Sequence, residues 1–250
     1  MPNRLADSYH PIVITELDAK IGQKRQIMKA DIRLMVTADG SHTAVNQVFD
    51  KPYHSIHGAY QESQRVYIEL GLLPAFDIFP DTDLHIFEMG FGTGLNALLT
   101  AREAQIRQRR VFYSAVDAYP MAIDDARQLN YDAFFGTDYL PKLHESPWNE
   151  PVAVDTCLAL TKYEGNLQDF HTTNRFHVIY FDAFAPTAQP ELWEQDIFEK
   201  MARLLLPGGM LTTYCSRSYV QRNMRSAGLI VEKHSGPLHK RDVIRAVKMG

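Results

Sequence analysis

From Leu84 onward, short apolar runs alternate with longer stretches of helical spacing. Strands are predicted at Leu84–Glu88, Val111–Val116, Val152–Leu160, His177–Phe181, Met210–Cys215, Leu229–Lys233 and Val243–Val247. Between them the pattern predicts helices at Leu95–Gln108, Pro120–Leu129, a short one around Tyr139–His144, Glu191–Leu206 and Tyr219–Ala227. The run His177–Phe181 is almost continuously apolar, as in a strand covered on both faces. Alternating strands and helices imply an α/β fold with a mostly parallel seven-stranded sheet. The last two strands lie close together around Gly236-Pro237 and suit an antiparallel edge hairpin.

The first 80 residues lack this alternation. Ile12–Thr15 and Asp31–Val36 are strand-like, and Ala38-Asp39-Gly40-Ser41 is a turn signal leading into Thr43–Val48. Ala59–Glu69 has helical spacing, and Leu72–Pro80 reads as a proline-punctuated link. Residues 1–80 are therefore expected to form an extension with a small β-hairpin and a helix, and residues 81–250 the main domain.

Composition narrows the class. The chain of 250 residues is 45% hydrophobic and 22% charged, ordinary for a soluble domain with a sizeable core. It contains no apolar run of membrane-spanning length, and Met1–His10 does not resemble a signal peptide, so a cytoplasmic protein is expected. Cys157 and Cys215 stand in apolar strand-like runs, as buried thiols would. His54-Ser55-Ile56-His57 lacks a nearby third ligand, so no metal is expected. Charge is unevenly spread. From Arg217 to Gly250 eight Lys and Arg meet two acids, so that stretch carries +6 and the residues before it −10 of the net −4. A basic C-terminal face suits either an anionic partner or plain solvation.

The chemistry begins at Glu88-Met89-Gly90-Phe91-Gly92-Thr93-Gly94-Leu95, a glycine-rich turn between a strand and a helix. Such a turn aims backbone N–H groups at a ligand. Leu95 stands where the third glycine of a dinucleotide fingerprint would be, and Glu88 is foreign to that fingerprint. The E-x-G-x-G-x-G order is that of S-adenosylmethionine (SAM) methyltransferases. Asp117, ending the second strand, has the position and chemistry to bind ribose hydroxyls, or to cap the following helix. Phe181-Asp182-Ala183-Phe184-Ala185-Pro186 ends the fourth strand beside the cofactor's reactive end. It parallels the D/N-P-P-Y/F loop of amino-group methyltransferases.

Three segments carry a resemblance: Glu88–Thr100 (EMGFGTGLNALLT), Tyr180–Trp193 (YFDAFAPTAQPELW) and Lys240-Arg241-Asp242. Together they resemble the SAM-dependent domain of the bifunctional tRNA 5-methylaminomethyl-2-thiouridine biosynthesis proteins (MnmC-like). The resemblance runs from about Ser55 to the C-terminus. It implies a Rossmann-like fold, SAM as cofactor, and methylation of the exocyclic amine of 5-aminomethyl-2-thiouridine at the tRNA wobble position. It also implies catalytic weight on Asp182, with Phe184 as aromatic neighbour, and SAM contacts at Glu88, Gly90, Gly92, Gly94, Asp117 and Asp182. For the Gly-Asp that the family carries after its third strand, Glu164-Gly165-Asn166 is the nearest match, so Asn166 becomes the candidate at the adenine edge.

Arg217, Arg222, Lys240 and Arg241 are the candidates for anticodon-loop phosphates of tRNA. The sequence ends soon after the Lys-Arg tail, so a free-standing enzyme served by a separate FAD-dependent oxidoreductase is expected. Two other classes share parts of the pattern. An aminopropyltransferase of the polyamine-synthase kind shares sheet and glycine loop, but its several acids for cationic amines fit poorly with a basic C-terminal face. A non-catalytic RNA-binding module would explain that face and leave Asp182 without a role.

Overall fold

The computed structural model describes residues 32–46, 49–237 and 242–250. The strand expected at Ile12–Thr15 lies outside them, as do Lys240 and Arg241.

Strands β4 (Leu84–Met89), β5 (Val111–Asp117) and β8 (Phe176–Phe181) form the centre of the main sheet. Nearly all their residues are buried, because helices cover both faces. Alternation decides which face each side chain enters. Ile86, Tyr113, Val178 and Tyr180 join one core, while Phe87, Val116, Ile179 and Phe181 join the other. Helix α2 (Leu95–Arg107) packs in the first core through Leu95, Leu98, Leu99 and Ala101.

The short helices α3 (Ile123–Ala126), α4 (Tyr131–Phe135) and α5 (Tyr139–Glu145) follow β5. Strands β6 (Pro151–Ala153) and β7 (Leu158–Glu164) come next. After β8, helix α6 (Gln195–Leu204), strand β9 (Leu205–Thr213), helix α7 (Ser218–Ser226) and strands β10 (Leu229–Ser235) and β11 (Asp242–Lys248) complete the chain. Helices α6 and α7 bury Ile197, Phe198, Met201, Val220 and Met224 in the second core.

The strand order is β10-β11-β9-β8-β4-β5-β7-β6. Strand β11 runs antiparallel to both β9 and β10, as the expected edge hairpin requires. The sheet has eight strands where the pattern predicts seven. The expected strand Val152–Leu160 is two: Asp155 Oδ1 accepts from the N–H groups of Cys157 (2.6 Å) and Leu158 (2.7 Å), folding β6 back antiparallel onto β7. Pro207-Gly208-Gly209 does not stop a helix at Leu206. It lies inside β9, opposite a register shift in β8. A Cβ at Gly209 would come within 2.9–3.1 Å of three carbonyl oxygens, so only glycine fits the bulge. The helix expected from Pro120 to Leu129 is confined to α3, because Ala122 is extended. Asn130, just after it, is tied to the N-terminal hairpin through His42 N–H (2.9 Å) and Gly40 O (2.9 Å).

That hairpin, β1 (Ile32–Val36) and β2 (His42–Asn46), is extended by the two-residue β3 (Lys51–Pro52) into a small antiparallel sheet. Helix α1 (residues 59–78) follows, and the expected break at Leu72 is absent. Its middle, Gln64–Leu72, is a π-helix, with Leu73 N–H bonded to Ile68 O. The wider turn lets the chain pass Pro74, which lacks a donor and would strain an α-helical turn. Val66, Tyr67, Ile68 and Leu72 enter the first core, so α1 is part of the main sheet's packing. Among the described residues no helix is long and apolar enough to cross a membrane.

Gly71 sets the closeness of α1 to the sheet. A Cβ there would lie 3.1 Å from Val178 Cγ1 and 3.2 Å from Tyr180 Cε1. Gly71→Val should therefore lower unfolding free energy by about 1–3 kcal/mol through overpacking. Urea denaturation of the two proteins checks this, and equal midpoints would refute the close-packing argument.

Candidate active site

Register assembles the site. Met89 lies beside Val116 on one flank and Phe181 on the other, so the residues that follow, Gly90, Asp117 and Asp182, emerge side by side. Asp182 N–H donates to Met89 O (3.0 Å) and Gly90 N–H to Val116 O (2.9 Å). The chain leaves β4 towards β5 and β7 on one side and reaches β8 and β9 on the other. The carboxyl ends at such a switch point form a crevice where open α/β sheets bind ligands. Here it is a pocket of about 590 Å³ including its mouth. Gly90, Phe91, Gly92, Asn96, Asp117 and Asp182 are in its wall.

Gly90 has φ +90°, and a Cβ on it would sit 2.7 Å from Asp182 O, so the loop and the segment after β8 touch backbone to backbone. Asp117 is buried. Its Oδ2 accepts Gly92 N–H (2.8 Å) and its Oδ1 accepts Tyr119 N–H (2.7 Å). Burial raises its pKa, and these backbone donors counter the rise. Each oxygen keeps a lone pair with which the carboxylate could hold a vicinal diol.

Asp182 is half-buried and opens onto the pocket. Desolvation pushes its pKa up to about 6, against the lowering effect of Tyr67 and Asn96. Its loop is held rigidly by its own motif. Trp193 Nε1–H donates to Phe184 O (2.9 Å), Phe184 N–H to Gln189 Oε1 (3.2 Å), and the Tyr214 hydroxyl to Ala183 O (2.8 Å). The Phe184 ring meets Phe49 and Tyr53, at centroid distances of 4.8 and 5.1 Å. Phe49 in turn meets Tyr119 at 5.3 Å. Both partners of Phe184 come from the N-terminal segment; Tyr53 is in the wall of the pocket, and Phe49 packs against Tyr119 and Phe184, which are.

The other expected site residues lie apart from the pocket. Glu88 shares the face of Ile86, so its side chain enters the core beneath α2, where it is 1% exposed. Gly94 heads α2 and packs on His144 behind the loop. Asn166 is exposed and hydrogen-bonded to Asp169 (3.2 Å), beyond Gly165, whose N–H reaches Asp117 O. Arg217 and Arg222 are exposed, the first capping α7 and the second in its middle.

Several supporting residues carry no pattern in the sequence. Tyr53 lies on the loop, where a Cβ on Gly92 would be 2.9 Å from its ring. His144 donates from Nε2 to Thr93 O (2.9 Å), its pKa lowered by burial to about 4. Lys162, 1% exposed, holds Leu143 O (2.7 Å) and His144 O (2.9 Å) at the end of α5. Asn96 alone had a visible signal, as the polar residue in an apolar first turn.

The cradle of Gly90 and Gly92, where added side chains would collide, and the buried diol-binding geometry of Asp117 both fit SAM. Gly90→Ala should weaken SAM binding at least about tenfold, because backbone cannot yield at 2.7 Å. Calorimetric titration measures this, and wild-type affinity in the variant would show that the cradle is not needed.

Comparison with known proteins agrees with this geometry. The sequence profile of the family described as S-adenosyl-L-methionine-dependent methyltransferase matches residues 121–249, just over half of the chain. The chain is 31% identical over 243 residues to the tRNA 5-methylaminomethyl-2-thiouridine biosynthesis bifunctional protein MnmC of Pseudoalteromonas atlantica. That match covers 88% of this chain and 34% of the relative, so the chain spans about a third of the relative's length. Among solved structures, MnmC2 from Aquifex aeolicus superposes with a TM-score of 0.68 at 20% identity, covering 94% of this chain and 78% of that one. Spermidine synthase from Thermotoga maritima gives 0.55 at 12% identity, covering 88% and 69%. These two likenesses concern the fold. With a glycine cradle and an acidic strand end meeting at the switch point of this sheet, and with the family profile spanning half its length, the chain belongs to the S-adenosyl-L-methionine-dependent methyltransferases.

Proposed function

We propose that this enzyme methylates an exocyclic amine of a tRNA nucleoside, converting 5-aminomethyl-2-thiouridine at the wobble position to 5-methylaminomethyl-2-thiouridine. The observation that carries the reading is Asp182: a carboxylate opening onto the pocket, next to the glycine cradle, on a loop its own motif locks. The name of the Pseudoalteromonas relative, which concerns this nucleoside, supports the substrate. The amine has to come from an earlier step, which the resemblance attributes to an FAD-dependent oxidoreductase.

When bound, SAM supplies an electrophilic methyl on a positively charged sulfur. The protein's task is alignment and charge. An incoming ammonium can pass one proton by way of Asp182, whose raised pKa makes it a better base than an exposed aspartate, to the solvent of the open pocket, which leaves Asp182 ionised again. The neutral amine's lone pair would then take up the methyl that SAM supplies, the bonding pair staying with sulfur. Positive charge arrives on nitrogen, and a carboxylate beside it stabilises that charge. Alignment of this kind can contribute up to about 7–11 kcal/mol. The rings of Tyr53, Tyr119 and Phe184 in the pocket wall offer faces on which a planar base can stack, with Phe49 packed against Tyr119 and Phe184. Such stacking is worth about 1–3 kcal/mol per base. Gly90, Gly92 and Asp117 would hold SAM, with Arg217 and Arg222 meeting phosphates nearby. Roles at the adenine edge for Asn166 and on the tRNA for Lys240 and Arg241 stay part of the proposal.

The test is methyl transfer from labelled SAM to tRNA bearing the aminomethyl nucleoside, followed by nucleoside mass analysis. Asp182→Ala should abolish transfer while SAM still binds, and near-normal turnover would remove Asp182 from the mechanism. Transfer of an aminopropyl group from decarboxylated SAM to putrescine would instead establish the polyamine-synthase reading. Arg217→Ala with Arg222→Ala should weaken tRNA binding and reduce its salt slope by about 2. An unchanged slope would move the phosphate contacts elsewhere.

A further inference from the structure

Beneath the pocket lies a cluster of buried polar groups that the proposed chemistry leaves unexplained. Its centre is the Asn96 side chain. One amide nitrogen, Nδ2, donates both to Glu88 Oε1 (2.9 Å) and to Asp182 Oδ2 (2.9 Å). Asn96 and Glu88 are 3% and 1% exposed. The amide cannot turn over, because its oxygen would then face the Asp182 carboxylate. The groups around the pair come from every neighbouring element: Tyr67 from α1, Tyr113 from β5, Tyr180 from β8 and Tyr214 after β9. Asp117 adds a further negative neighbour. Among the described residues no Lys, Arg or His is a leading influence on Glu88 or Asp182.

Two carboxylates joined through one amide, with only phenols and another acid around them, cannot both carry charge at low cost. Asp182 opens to the pocket and keeps access to solvent. Glu88 has none; beside the Asn96 amide its one hydroxyl neighbour is Tyr113, and its second oxygen, Oε2, makes no well-formed hydrogen bond. An ionised carboxylate would leave that lone oxygen desolvated at high cost, whereas a neutral acid tolerates it better. The side chain lies beneath α2, behind Asn96, and is not itself in the wall of the pocket.

We propose that Glu88 is a neutral, buried carboxylic acid that works through the Asn96 amide to fix Asp182 as the singly charged group of the site, and that Glu88 does not touch SAM. Glu88 and Asn96 are thus positioning residues. The acid before the glycine turn holds the base from behind. The part concerning Asp182 rests on the reading of that residue as the amine's acceptor; the part concerning Glu88 does not.

The sign of the pH dependence follows from burial. Desolvation raises the pKa of Glu88 well above its ordinary 4.5, so the folded protein keeps a proton that the unfolded chain releases. Stability from this group is complete below pH about 4.5 and falls as pH rises towards the folded pKa. Glu88→Gln replaces the neutral acid by a neutral amide of the same shape and removes that slope.

Three measurements decide the proposal. Thermal and urea unfolding of wild type and Glu88→Gln from pH 5 to 8 should show the variant gaining on wild type, by up to about tenfold in the unfolding constant per pH unit. A constant difference would mean that Glu88 is charged in the folded state and overturns the proposal. Calorimetric titration with SAM should give Glu88→Gln an affinity within about threefold of wild type; a loss of tenfold or more would make Glu88 a cofactor ligand instead. Asn96→Ala removes a donor from Asp182, so the acid limb of its kcat/KM profile on tRNA should move to higher pH, with more rate lost at pH 6 than at pH 8.5. An unmoved limb would overturn the link between Asn96 and Asp182. If wild type transfers no methyl to tRNA, the reading of Asp182 falls, while the unfolding and SAM titrations still decide the state of Glu88.

Discussion

The site depends on the register of three parallel strands. Because Met89, Val116 and Phe181 are level, Gly90, Asp117 and Asp182 leave the sheet together. A slip of one residue would reverse the face of every side chain on the strand that moved. It would also separate Gly90 from Asp182, whose backbones meet too closely for any side chain between them. The apolar sets on both faces of β4 and β8 oppose such a slip, since each face fills its own core. Packing far from the pocket therefore sets its geometry.

Around that register the structure puts rigidity where the ligand needs it. The loop after β8 is tied by Trp193, Gln189 and Tyr214, each bonding a backbone group. The glycine turn is supported from behind by His144, with Lys162 holding the end of the helix that carries it. The Tyr131 hydroxyl lies between His42 O (2.9 Å) and Thr93 Oγ1 (3.1 Å), joining the N-terminal hairpin to the same turn. Polar groups that make no well-formed hydrogen bond, among them Tyr67 Oη, Tyr113 Oη and Glu88 Oε2, collect beneath Asp182, with Tyr67 facing Asp182 and Tyr113 facing Glu88. Buried unpaired polar groups are costly, and they gather where function rather than stability has shaped the interior.

Much of this was legible before any coordinates. Period-two and period-3.6 patterns placed the parallel strands and the longer helices, because both faces of this sheet are buried and their apolar runs are unbroken. The failures share a cause. At β6 a side-chain hydrogen bond from Asp155 turned a chain whose residues suit a strand. In α1 a π-helical turn carried the chain past a proline that locally signals an end. The Pro-Gly-Gly run in β9 is a bulge because the neighbouring strand supplies the frame.

The sequence by itself determined the fold class, the glycine turn and the three acids at strand ends, Glu88, Asp117 and Asp182, since each is written in adjacent residues and follows from backbone geometry. Only the tertiary structure decided what those acids face. Glu88 stands two residues before a ligand loop, yet strand alternation turns it into the core against Asn96. Phe49 and Tyr53 carry no motif, yet the small N-terminal sheet sets their rings against Phe184. A carboxylate's role follows from its neighbours in space, through desolvation and shared donors, and those neighbours here come from distant parts of the chain, as Tyr67 and Asn96 do for Asp182.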